Sequence, residues 1–295
     1  MEELHLSSNV KVHYAGAENI NQFDICLSLG VSYGLYTAFP FVSKRVFNKG
    51  FTKFNLDIPR YLANNTIHLI QDSGLFTLMF GAQKGRKDEH LMNRWYDGLV
   101  EFTLAHNTGC TCVEVDCQKV LGVDKAWEFR QRMKLDLPNN RIINVFHLED
   151  GMKGLDKLIE FSEYIAISVP ELRFANKKKY VHSIAAYIKR KKPTIDIHLL
   201  GCTELELLKR CKFCTSADST SHLNSVRYGY IKGKHIDDIS TDKLIDRIGS
   251  DTYNHIRTKL KKYVDGLALQ IEWCKYNYQQ YAGEQDYYTL KKIIG

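Results

Sequence analysis

The sequence predicts a (β/α)8 barrel, and three observations predict it. Short apolar runs rich in Ile, Val, Leu and aromatics recur eight times along the 295 residues, as expected of strands buried on both faces. Helical patterns lie between them. Acids, a histidine, hydroxyls and glycines recur where these runs end, which is where barrels of this class carry their working groups. A doubly wound open sheet is the competing arrangement.

The strands expected in order are Val10–Ala15, Gly34–Phe39, Thr66–Gln71, Thr111–Val115, Ile142–Phe146, Tyr164–Val169, Asp196–Leu200 and Phe213–Ala217. Helical periodicity is read over His90–Ala105, Asp124–Lys134, Leu155–Glu163, Lys177–Lys192 and Glu204–Arg210. Beyond the barrel, helices are expected over Thr241–Ile248, with Ser240 as N-cap, and over Tyr253–Tyr278. The expected organisation is a barrel over residues 1–222 and a helical extension over 223–295 packed on it.

With 44% hydrophobic residues the chain can bury one large core. No apolar run approaches the roughly 20 residues needed to span a bilayer, and MEELHLSSNV has neither a basic start nor an apolar signal core. A soluble, cytoplasmic protein is expected. The eight cysteines are scattered through apolar runs in a chain too large to need staples, so they are read as reduced. Cys211 and Cys214 form a CxxC, but no second pair completes a zinc tetrad. The excess of 41 basic over 34 acidic residues, +7, is compatible with a polyanion partner.

The stretch IHLIQDSGLFTLMF (Ile67 to Phe80) places an acid, a hydroxyl and a glycine directly after a buried run. Capping explains one such turn. Repetition around one rim argues for a shared pocket: Asp72 follows strand three, Asp116 strand four and His147 strand five. Ser168 lies near the end of strand six, Gly201 follows strand seven and Asp218 strand eight.

These motifs resemble a known family. DSGLFT (Asp72 to Thr77) is similar to the DSGGF signature of tRNA-guanine transglycosylases, and HLLGCTELE (His198 to Glu206) to their LMGVGxPED segment. ISVPE (Ile167 to Glu171) resembles their LSVGE, VEVD (Val113 to Asp116) the strand delivering their base-reading Asp, and SADS (Ser216 to Ser219) the turn carrying their nucleophile. The order holds from about residue 10 to 220. The family's CxCxxC and later His are missing, since the only cysteine beyond the nucleophile motif is Cys274, so no zinc subdomain and no cofactor are expected. Leu75 replaces the family's second glycine, Thr77 a glutamine, and His147 the glutamine of strand five. DSGxFT and DSTSH (Asp218 to His222) look like the phage and bacterial DpdA-type branch, which inserts 7-deazaguanines into DNA.

The resemblance implies that Asp218 is the nucleophile and Asp72 the general acid/base. Asp116 would read the N1–H and 2-amino edge of guanine. Ser73, Gly201 and the backbone at Ala166 and Ile167 would contact the rest of the base; His147 is either a donor in the pocket or a brace behind it, and Phe76 either stacks on the base or packs in the core. Guanine is expected to be exchanged for a preQ0-like base, with no metal. The target must be unpaired or flipped out. Lys177, Lys178, Lys179, Lys189 and Arg190, with Lys259, Lys261 and Lys262, are the expected phosphate contacts. The partner expected is DNA, with tRNA as the alternative. A helper protein or homodimer is also considered. The third reading is a non-catalytic subunit of a transglycosylase; the retained acids argue against it.

Overall fold

The structure is a computed structural model that describes residues 10–47, 57–80, 88–106, 108–202, 204–223 and 241–259, together with 228, 230–231, 234–235, 268 and 270–271. Its centre is a closed barrel of eight parallel strands paired in sequence order. These are β1 (Lys11–Ala15), β2 (Tyr33–Thr37), β3 (His68–Asp72), β4 (Thr111–Val113), β5 (Ile142–Phe146), β6 (Tyr164–Ser168), β7 (Asp196–Leu200) and β8 (Ser216–Ser219). Closure comes from β8 pairing back on β1, with Asp218 opposite His13 and Ser219 opposite Tyr14.

The helices form the outer ring: α1 (Ile20–Ser28), α2 (Phe39–Phe47), α3 (Ile58–Asn65), α4 (Leu75–Phe80), α5 (Glu89–His106), α6 (Gln118–Leu121), α7 (Val123–Asp136), α8 (Gly151–Phe161), α9 (Val169–Phe174), α10 (Val181–Lys191) and α11 (Leu205–Arg210). Apolar outward positions of the strands pack against this ring in two clusters. One, around Trp95, Tyr96, Phe23 and Leu62, serves β1 to β4, and the other, around Leu155, Ile165, Ile197 and Ile188, serves β5 to β8. Helices Thr241–Ile248 and Ser250–Lys259 join the first cluster through Leu244, Tyr253 and Ile256, so this part of the C-terminal region packs on the barrel.

The interior is half apolar. Ala15, Leu35, Ile70, Val113, Ile143, Val145, Tyr164 and Ala166 form one cluster there. His13 and His68 meet at 2.7 Å although β1 and β3 are not neighbours in the sheet, so their contact crosses the interior. Barrel interiors are usually filled by branched aliphatics. Here His13, His68, His198, Thr111 and Ser216 occupy inward positions instead.

Several expected boundaries move. Strand two ends at Thr37, and the apolar Phe39 that extended it on the sequence opens α2. Strand three runs through Asp72 and strand eight through Ser219, so both acids are the ends of strands rather than loop residues. Lys177–Lys192 is not one helix: Lys178–Tyr180 forms a separate 3-10 turn, and α10 starts only at Val181. Helices α1 to α3, not drawn from the sequence, fill the first two crossovers. Helix Thr241–Ile248 forms as expected. Ser240, Lys261, Lys262 and Cys274 lie outside the described residues.

The DSG turn depends on its glycine. Gly74 has φ +74°, and a Cβ there would lie 2.7 Å from the backbone N and the Cβ of Phe39. That closeness follows from β2 and β3 leaving the sheet together, with the Ala38 N–H donating to Asp72 O at 2.9 Å. Gly74→Ala is expected to destabilise the fold by about 3 kcal/mol or more, the sum of left-handed strain and a clash with main chain that cannot yield. Urea unfolding measures it, and a loss below about 1 kcal/mol would show that the turn relaxes.

Candidate active site

The C-terminal ends of β3, β4, β5, β6 and β8 bring their polar residues to one mouth. Asp72 is desolvated there, and burial lifts its pKa to about 7, with the Gly74 N–H pulling down and the charges of Asp116, Asp218 and Glu18 pushing up. β3, β4 and β8 run parallel in the closed barrel, so their C-terminal ends carry the three predicted aspartates to the same rim. The capping reading holds as well: Asp72 Oδ1 accepts the Gly74 N–H at 2.8 Å and the Thr37 hydroxyl at 3.4 Å, and Ser73 Oγ accepts the Leu75 N–H at 3.4 Å. One carboxylate oxygen thus fixes the turn.

Asp218 is held differently. Its Oδ1 accepts the Gly201 N–H at 2.7 Å and faces His198 Nε2 at 3.1 Å. Gly201 has φ +62° and no room for a Cβ, which would meet Pro170 Cγ at 2.8 Å. His198 Nδ1 lies 2.5 Å from Ser216 Oγ, which also meets the Tyr164 hydroxyl. Against a carboxylate acceptor only one proton arrangement satisfies every group: Tyr164 donates to Ser216, Ser216 to His198 Nδ1, and His198 Nε2–H to Asp218. Burial pushes the Tyr164 phenol up to about 12, so it remains a donor. Both donors converge on Oδ1, and among the described residues Oδ2 accepts no hydrogen bond.

His147 links the other side of the mouth. Its Nδ1 lies 2.6 Å from Glu171 Oε2, and its Nε2 faces Asp116 Oδ2 at 3.3 Å as an ion pair. Burial alone would lower the imidazole pKa, but the Asp116 and Glu171 carboxylates outweigh it and raise it to about 10. Burial raises Glu171 too, yet the His147 contact and the Leu148 N–H bring it down to about 2. His147 is therefore an imidazolium at neutral pH. His147, Glu149 and Glu171 bring possible ligand atoms within 4.8 Å of one another. The charged imidazolium and Lys119 Nζ, 3.6 Å from Glu171 Oε1, oppose a cation at that point.

Behind Asp116 and His147 sits a buried brace. The Arg130 guanidinium donates from Nε to Glu114 Oε1 at 2.9 Å and from Nη2 to Val145 O at 2.8 Å, and faces Asp150 Oδ1 at 3.6 Å. Asp150 Oδ2 accepts the His147 N–H at 2.9 Å, and Glu114 Oε1 accepts the Val145 N–H at 2.9 Å. Together these fix the ends of β4 and β5.

The remaining predicted residues divide. Phe76 stands 70% exposed at the rim, so it is not core. Ala166 faces the barrel interior and Ile167 the helices, and their β6 backbone pairs with β5 and β7, so they do not offer free main chain to a base; the expectation for them is corrected. Gly201 spends its N–H on Asp218, and Ser73 is buried with its carbonyl accepting from Trp95 Nε1. Lys177, Lys178 and Lys179 lie just past α9 at the site mouth. Lys189 and Arg190 end α10, which leads into the start of β7, so they sit at the opposite end of the barrel; Lys189 Nζ donates there to Ile195 O.

Glu171, His198 and Glu18 were not singled out on the sequence. Glu171 sits three residues past a strand end and could have been found by that rule. His198 has the same strand parity as Leu200, an interior position, which is the signal it offered. Glu18, two residues past Gly16 of the first strand's turn, accepts the Thr37 N–H at 3.1 Å, and burial raises its pKa.

A scan against protein-family models finds no match for this chain, and a search of curated proteins finds none either. Among the described residues, no helix is long and apolar enough to cross a membrane.

An acid whose folded pKa is raised to about 7 loses folded-state stability as pH rises from its unfolded value of about 4 through 7. Asp72→Asn should therefore gain on the wild type across that window, by about 1–4 kcal/mol at pH 8. Urea unfolding at pH 4, 6 and 8 reads the trend, and parallel profiles would show that Asp72 is solvated. Glu171→Gln should lower the His147 pKa, now about 10, by more than one unit, read by 15N NMR of the ring; an unmoved titration would mean that Asp116 alone charges the imidazole.

Proposed function

We propose that this chain exchanges guanine in DNA for a 7-deazaguanine base by double displacement, as a transglycosylase. The observation that carries the proposal is that three strand-end carboxylates share one mouth in three different environments. Such separation is how one pocket assigns nucleophile, acid/base and recognition roles to identical groups.

Asp218 is oriented by Gly201 and His198 through one oxygen, and Oδ2 is the atom that attacks C1′ of the target nucleotide. The C1′–N9 bond breaks, its electron pair leaves with guanine, and the Asp72 carboxyl delivers a proton to the departing base. Its pKa of about 7 suits a group that must give a proton and then take one. The incoming base loses its ring N–H proton to the Asp72 carboxylate, its nitrogen attacks C1′, and the Asp218 ester is released. Two inversions retain the sugar configuration.

Asp116 accepts the N1–H and 2-amino group of guanine. The His147 imidazolium beside it, held by Glu171, keeps Asp116 ionised and aimed. His147 thus takes the place of an uncharged amide in the resembled family, and it adds a fixed positive charge to an otherwise acidic mouth.

The test is incubation with radiolabelled guanine and, separately, duplex DNA, single-stranded DNA and bulk tRNA. Label should enter DNA, and Asp218→Ala should lower incorporation at least 1,000-fold, on the order of a lost covalent nucleophile. Incorporation into tRNA alone would replace the polymer in this reading. Full activity of Asp218→Ala would remove the nucleophile, and no incorporation anywhere would overturn the proposal.

A further inference from the structure

The loop after β6 carries a feature that the chemistry above does not use. Phe174, the last residue of α9, is 85% exposed, the most exposed of the large apolar side chains among the described residues. It lies three residues after Glu171 on the same short helix, hence on the same face, with Cβ atoms about 5–6 Å apart. Glu171 in turn holds His147 at the site. Phe174 therefore stands at the lip of the mouth, one helical turn from the recognition side.

The loop is rigid. The Lys177 N–H donates to Leu172 O at 2.6 Å and the Asn176 N–H to Arg173 O at 3.0 Å, the paired bonds of a Schellman motif. Asn176 supplies the left-handed residue that the motif needs, with φ 55°. Lys178 forms an ion pair with Glu204, which ties this loop to the one after β7. These bonds fix the backbone from which Phe174 projects.

The same loop is cationic. Arg173, Lys177 and Lys179 are exposed, and among the described residues only Lys178 of the three consecutive lysines pairs with a carboxylate. Tyr180 is 47% exposed with Lys179 Nζ 5.2 Å from its ring centre. A mouth lined by Asp72, Asp116, Asp218 and Glu171 repels phosphates, so a polyanion needs compensating charge beside the site. An aromatic face set among cations is what holds unpaired nucleotides, by base stacking and phosphate attraction together.

We propose that the β6–α10 loop is a docking platform for a single-stranded polynucleotide, with Phe174 stacking on the nucleobase next to the target guanine and Arg173, Lys177 and Lys179 holding the adjoining phosphates. This rests on the nucleic-acid reading above and adds the form of the substrate: the strand is unpaired at the site, and the neighbouring base is gripped by its face, irrespective of its identity.

The experiment is equilibrium binding by fluorescence anisotropy. The probes are labelled single strands of DNA and of RNA, each of about 12 nucleotides with one guanine, and the matching DNA duplex. Full-length wild type, Phe174→Ala, Phe174→Trp and Lys177→Gln are compared across salt concentrations. Single strand should bind more tightly than duplex. Phe174→Ala should weaken it roughly tenfold with an unchanged salt slope, and Phe174→Trp should restore it. Lys177→Gln should flatten the salt slope by about one. The RNA arm distinguishes the two sources of single strand. Phe174 is solvent-exposed, so its variants should fold as the wild type does, which circular dichroism checks. Equal affinity of Phe174→Ala and wild type, or duplex binding as tight as single strand, would overturn the platform and leave the transglycosylase reading standing. Failure of the wild type to bind any strand would remove both.

Discussion

The pairing of β8 with β1 is the constraint on which the rest of the molecule depends. It closes the sheet, sets Asp218 opposite His13, and removes any free edge. Once the sheet is closed with all strands parallel, every strand has its C-terminal end on one rim. Residues as far apart in sequence as Asp72 and Asp218 then share one desolvated mouth. An open sheet of the same strands would spread these ends along a line, and the burial that chiefly lifts Asp72, with the repulsion that adds to it, would be absent.

Gathering carboxylates is costly, and the structure offsets the cost by local partners. His147 lies between Asp116 and Glu171, Lys119 approaches Glu171, and Gly201 and His198 donate to Asp218. Asp72 has the Gly74 N–H and a long contact from the Thr37 hydroxyl, and burial raises its pKa. The Arg130 brace does for the backbone what these partners do for the side chains. Its ion pairs with Glu114 and Asp150 are buried, so their value lies in fixing the β4 and β5 ends rather than in net stability.

The polar interior follows the same logic. His13 Nδ1–H donates to the Lys11 carbonyl at 3.1 Å, so its Nε2 accepts from His68 Nδ1–H, and His68 Nε2 accepts from the Thr111 hydroxyl. Burial first, and then the neighbouring His68 and His198, hold His13 well below its ordinary pKa and hence neutral. Two hydrogen-bond chains with defined proton direction thus fill space that branched aliphatics would otherwise occupy. One of them ends on Asp218, so the filling of the barrel orients the proposed nucleophile.

Read on its own, the sequence determined the fold class, the order of eight strands, and the acids at three strand ends, because apolar runs and the residues that end them are local signals. It also located the DSG turn, whose glycine is required by its own φ. Only the tertiary structure decided that His147 is charged, that Asp72 titrates near neutrality, and that Lys189 and Arg190 are remote from the acids while Lys177 is near. The interior role of His198 and the contact of Glu171 with His147 were likewise settled only in three dimensions. Each of these depends on distances between residues 17 to 146 apart in the chain, and on how much water the closed barrel excludes between them. A one-dimensional pattern carries neither quantity.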